Sequence, residues 1–161
     1  MDSSSFPVPA GLYRTTVSYP LREQELPGGA LVYVGNPVNG GVRFVVRPGR
    51  NERNRWFWGE PTFPLDDAQW ESTLIALPAE GFYSLPETIT LDGGGRWLEN
   101  AIVQLGYNRA AEPLLFIAQW HDGGTDNALT FSDRGIRIED ELMRRLRWAP
   151  ILPVPAATAD A

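Results

Sequence analysis

The chain has no cysteine. That excludes disulfides, thiolate metal sites, iron–sulfur clusters and a cysteine nucleophile. It also has no lysine, since all fourteen basic residues are arginine. A phosphate-cradling loop that ends in a lysine is therefore excluded. The Gly93-Gly94-Gly95 run, followed by a strand pattern and not by a helix, reads as a plain turn. There is one histidine, His121. Two-histidine metal centres and the HExxH arrangement are thus impossible, and no metal or other cofactor is expected.

Long apolar runs are missing too, so no membrane-spanning helix is expected. Met1 to Pro9 has neither the basic start nor the apolar run of a secretory leader. With no cysteine, the expected setting is a reducing one, the bacterial cytoplasm. Net positive charge is absent as well: the chain carries −6. As a whole it repels nucleic acid and anionic membranes, which makes both poor partners.

At 161 residues the chain has the length of one domain. A domain of that size buries roughly two thirds of its unfolded surface, enough for a core without staples. The ends differ from the middle. Residues 1–9 and 155–161 are small, polar and proline-spaced and read as tails, leaving 10–154 as the globular part. The charge is uneven. Between Arg43 and Arg55 five arginines face one acid, Glu52, so this segment carries +4 and the rest of the chain −10.

Period-2 alternation dominates the middle. Leu12 to Tyr19 sets Tyr13, Thr15, Val17 and Tyr19 against Arg14, Thr16 and Ser18. Ala30 to Gly35 and Val42 to Arg47 read as partner strands around the Asn39-Gly40 turn. Pro48 to Asn54 reads as a loop, and Arg55 to Gly59 as an aromatic strand. A short helical turn is expected at Leu65 to Trp70, and a strand at Glu71 to Leu77. Arg96 to Tyr107 alternates throughout, which puts Glu99 on a face with Trp97, Ala101, Val103 and Leu105. If that face is the core, Glu99 is buried and requires a partner. Pro113 to Trp120 is the most apolar strand and reads as central. The one substantial helix is expected at about 139–147, with acids in its first turn and arginines in its last. These patterns predict a mainly β protein: an antiparallel β-sandwich or partly closed β-barrel of about 8–10 strands with one late helix.

Catalytic sets are thin. A serine triad would need His121 with Ser132 or Ser84 and with Asp122 or Asp126, and no G-x-S-x-G elbow accompanies them. The turn His121 to Asn127 is rich in oxygen ligands but lacks the spacing of a calcium loop. Glu60, Glu99 and Asp122 near tryptophan-rich strands suggest a carbohydrate site, possible ground for carboxylate hydrolysis.

The strongest local feature is Arg47 to Arg55 running into Trp56-Phe57-Trp58. Arginine and tryptophan are the residues most enriched in interface hot spots. The sequence therefore points first to a non-enzymatic protein-interaction module, of the kind seen in small accessory, regulatory or immunity proteins. Its partner would be another protein, held by Arg50, Arg53, Arg55, Trp56 and Trp58. The alternative is a small-ligand or carbohydrate pocket walled by Trp56, Trp58 and Trp120, with Glu99 and Asp122 as polar contacts.

Overall fold

The computed structural model describes residues 7–120 and 129–151, with the backbone alone at Trp120 and Leu129. The structure is mainly β, and all strand pairs among the described residues are antiparallel. The first sheet is built from β1 (Gly11–Arg14), β2 (Leu31–Gly35), β3 (Phe44–Glu52), β4 (Arg55–Pro64) and β5 (Ile75–Ala76), in the order β4-β3-β2-β1-β5. The second contains β6 (Gly81–Ser84), β9 (Ile102–Tyr107), β10 (Pro113–Trp120), β11 (Leu129–Phe131) and β13 (Arg147–Trp148), in the order β11-β10-β9-β6-β13. A further segment, β12 (Ile136–Arg137), shares the outer edge of β10 with β11. The pair β7 (Ile89–Thr90) and β8 (Arg96–Trp97) forms a separate ribbon. Neither large sheet closes on itself, the architecture of a sandwich or partly open barrel.

Alternation along β2 shows how the layers form. Leu31 packs into one cluster with Val103, Leu105, Tyr107 and Leu115 of the second sheet. Val32 and Val34 face the other way, into a cluster with Tyr13, Val45, Phe63 and Trp70. The first sheet is therefore covered on both faces, and β2 lacks the wet face of a half-buried strand. One cover is the second sheet. The other includes Leu26 and the short helix α1 (Ala68–Glu71), whose N-cap Asp67 accepts from the Gln69 and Trp70 N–H groups.

Thirteen strand segments appear among the described residues, several of only two residues, against the eight to ten expected. The expected strand from Arg96 to Tyr107 is interrupted. Asn100 has φ +67, and the Ala101 N–H donates to the Leu98 carbonyl, which makes a turn between β8 and β9. Glu99 lies exposed in that turn and not on a core face. In place of a strand from Glu71 to Leu77 there is the end of α1, then β5. Of the expected loop from Pro48 to Asn54, Pro48 to Glu52 instead continue β3, and Arg53-Asn54 alone form the turn. Register shifts around Pro48 and Gly49 absorb the proline. Gly49 and Gly59 face each other closely: a Cβ built on Gly59 would stand 3.0 Å from the Gly49 Cα. The late helix α2 (Asp140–Arg145) is shorter than expected. Leu146 leaves helical geometry at ψ 142, and Arg147 and Trp148 pair with Ser84 and Tyr83. No helix among the described residues is long and apolar enough to cross a membrane.

Candidate binding groove

The tip of the β3–β4 hairpin is a two-residue turn, Arg53-Asn54, with φ +51 and +67. Positive φ at both central positions makes a type I′ connection, which matches the twist of the flanking strands. Asparagine tolerates that geometry, whereas arginine is uncommon in it. The turn is held from outside. Gln104 on β9, only 6% exposed, donates through Nε2 to the Arg53 carbonyl at 3.1 Å. Its Oε1 accepts from Asn54 Nδ2 at 2.9 Å, and the same nitrogen lies 3.2 Å from the Ser132 carbonyl. Gly106 permits the close approach: a Cβ there would meet the Asn54 carbonyl oxygen at 3.1 Å and the Phe116 ring at 2.9 Å.

This clamp holds the backbone of the turn, and Arg53 and Arg55 line the groove beside it, of ~700 Å³, within the size range typical of small-molecule pockets. Both arginines are exposed, and neither makes an ion pair among the described residues. The groove is mostly apolar, with Phe82, Trp148, Pro150 and Ile151 in its lining. Trp148 is 60% exposed and stands edge-on to Tyr83 at 5.3 Å. Phe82 packs on Phe131 at 5.1 Å.

Glu80 lines the same groove. Its Oε2 accepts the Trp56 backbone N–H at 3.2 Å. Its Oε1 is buried with no hydrogen-bond partner among the described residues. Burial pushes this carboxyl above the ordinary carboxylate range, and the Trp56 N–H and Arg55 pull it part of the way back. The segment before it is anchored by two tyrosines. The Tyr107 hydroxyl donates to the Pro78 carbonyl at 2.6 Å and the Tyr83 hydroxyl to the Ala79 carbonyl at 2.7 Å. Burial raises both phenol pKa values, so these hydroxyls keep their donor protons.

Of the residues singled out in the sequence, Arg53 and Arg55 come together at the groove. Arg50 lies outside its lining, over the Phe57 ring at 4.8 Å and 3.4 Å from Glu52. Trp56 and Trp58 are half-buried and pack against the core. The Trp56 Nε1–H donates to the Tyr107 carbonyl at 2.6 Å, while Trp58 stacks on Tyr33 at 5.4 Å. Glu99 does not line the groove. The Trp120 side chain, His121, Asp122 and the acidic turn lie outside the described residues, so the pocket they would form is not described. Ser132 is occupied structurally: its hydroxyl accepts from the Ile117 N–H and donates to the Arg134 carbonyl. Among the described residues no cluster of three or more His, Asp or Glu is placed to hold a metal.

Gln104, Glu80, Phe82 and Trp148 were not legible as site residues. Gln104 was a polar residue on the less apolar side of an alternating strand, which reads as an outward one. Trp148 stood just past the expected end of the helix. Comparison with family models, curated proteins and solved structures finds no match.

Proposed function

We propose that this chain is a non-enzymatic protein-interaction module, and that its contact surface is the clamped β3–β4 tip together with the groove beside it. One observation carries the proposal. Two arginines without ion pairs among the described residues, Arg53 in a hydrogen-bonded turn and Arg55 at the start of the strand that follows, line an exposed apolar groove. A turn backbone fixed in advance next to an apolar cleft suits recognition, because the turn itself has little ordering left to do on binding. Arg50, with its aromatic neighbour Phe57, extends the basic surface around the tip. Trp56 and Trp58 support the hairpin from beneath and are assigned a structural part.

The test is a pull-down with the full chain, followed by reconstitution with the purified partner. Replacing Arg50, Arg53 and Arg55 together by alanine is expected to weaken the reconstituted complex at least tenfold, with the melting temperature nearly unchanged. Undiminished binding would remove the arginine surface from the proposal.

A second reading, a small-ligand or carbohydrate pocket, is favoured by the exposed Trp148 and the half-buried Glu80 in one groove. A saturable tryptophan-fluorescence change with a sugar or an apolar ligand, lost in Trp148→Ala, would support it over the interaction module.

A further inference from the structure

We infer that the groove takes a peptide segment of a partner that presents apolar side chains flanked by carboxylates, the apolar groups lying on Phe82 and Trp148 and the acids on Arg53 and Arg55. This inference rests on the interaction-module proposal and specifies the chemistry of the partner.

Charge complementarity sets the sign. Among the described residues, three ionisable side chains line the groove: Arg53, Arg55 and Glu80. The arginines are exposed, at the rim, and without an ion pair among the described residues. The carboxylate is different. Its Oε2 is engaged by the Trp56 N–H and its Oε1 is withdrawn from solvent. What an incoming chain meets first is therefore positive, although the protein carries −6 overall. A basic segment would meet two arginines before it could reach Glu80. An acidic one meets two guanidinium groups, which pair with carboxylates in bidentate fashion.

Shape argues for peptide side chains. The opening lies between the hairpin tip and the β6–β13 edge, where Ala149 donates its N–H to the Phe82 carbonyl. The cleft is broad, and its apolar surface is formed by rings and by Pro150 and Ile151. Trp148 is held over Gly81, where a Cβ would come within 3.3 Å of the indole. The indole therefore rests directly on backbone and keeps its outer face for a ligand. Aromatic anchors beside arginines are the composition of binding hot spots.

Glu80 supplies an independent signal. The titratable groups around it are Arg55 and Arg53 from the hairpin and, from β9, the Tyr107 phenol, which burial keeps neutral. An anion seated on the arginines opposes the charge on Glu80 and favours its protonated form. Binding of an acidic segment then raises the proton occupancy of Glu80 itself, whereas binding of a basic segment lowers it.

The experiment selects a displayed library of random octapeptides on the purified full-length chain and on the charge-reversed variant R53E/R55E. The expected result is enrichment of sequences with aromatic or branched apolar residues between aspartates or glutamates on the wild type. The variant should lose those sequences by at least tenfold and shift towards basic ones. Calorimetry of an enriched peptide in buffers of different ionisation enthalpy should show more proton uptake by the wild type than by Glu80→Gln, the difference being the contribution of Glu80. If the variant unfolds, Trp148→Ala and the Glu80→Gln calorimetry decide the case. Enrichment of basic or uncharged peptides that compete at the groove would overturn the acidic assignment and leave the interaction module standing. No groove-dependent enrichment of any kind would overturn both.

Discussion

Replacing Gln104 by alanine should loosen the hairpin tip that carries the rim arginines. Gln104 is 6% exposed and spends both ends of its amide on the turn, one on the Arg53 carbonyl and one on Asn54 Nδ2. Two net hydrogen bonds are worth about 1–3 kcal/mol in total. The Arg53 residue is exposed and its carbonyl can be rehydrated, and Asn54 keeps the Ser132 carbonyl, so the lower half of that range applies to the bonds. Lost packing and the unsupported positive φ at Arg53 and Asn54 add to it, giving about 2 kcal/mol altogether. For a chain of this length that is a fall in melting temperature of roughly 4–8 °C. A double-mutant cycle with Asn54→Gly isolates the link, because glycine keeps the φ +67 geometry while removing the amide. The coupling between the two sites should be about 1 kcal/mol by thermal or urea denaturation. Strictly additive effects would refute the Asn54–Gln104 link of the clamp.

Other perturbations test neighbouring parts of the argument. Gly106→Ala places a Cβ 2.9 Å from the Phe116 ring and 3.1 Å from the Asn54 carbonyl, and should destabilise by about 1–3 kcal/mol in urea unfolding; a neutral outcome would mean the hairpin tip can move aside freely. Arg14 reaches both carboxylate oxygens of Asp140, at 2.6 and 2.9 Å, and the Ala111 carbonyl at 2.8 Å. Arg14→Met should therefore cost about 1–2 kcal/mol, discounted for the part-exposed carboxylate. Hydrogen bonding and then the charge of Arg14 hold the Asp140 carboxyl below its ordinary value. Its stabilising contribution is complete above the usual aspartate range and is lost as pH falls through the depressed folded value. The wild type should thus lose more stability on acidification than Arg14→Met does, and parallel pH–stability curves would contradict the pairing.

The β class was legible because alternation of wet and dry side chains is a property of each strand alone. It placed β1, β2 and β10 where Tyr13, Val32 and Leu115 are buried. The late helix was legible from the charge order of Asp140, Glu141, Arg144 and Arg145. Its end was not, because Arg147 and Trp148 exchange helical bonds for pairing with Ser84 and Tyr83, which are distant in the chain. Glu99 was misplaced for a related reason. The alternation continues through Leu98 to Ala101, but the backbone turns at Asn100. Of the basic stretch, Arg53 and Arg55 were legible as a surface feature, yet not that they would border a groove.

Composition and local periodicity by themselves determined the antiparallel β character, the lack of thiol and lysine chemistry, and the concentration of arginine before Trp56. Those properties depend only on which residues adjoin one another. Tertiary structure alone decided that Arg53, Glu80, Gln104 and Trp148 share a single cleft. They come from a hairpin tip, a strand entry, a strand interior and a terminal edge, and only the register between strands and the packing of one sheet on the other bring such positions within reach.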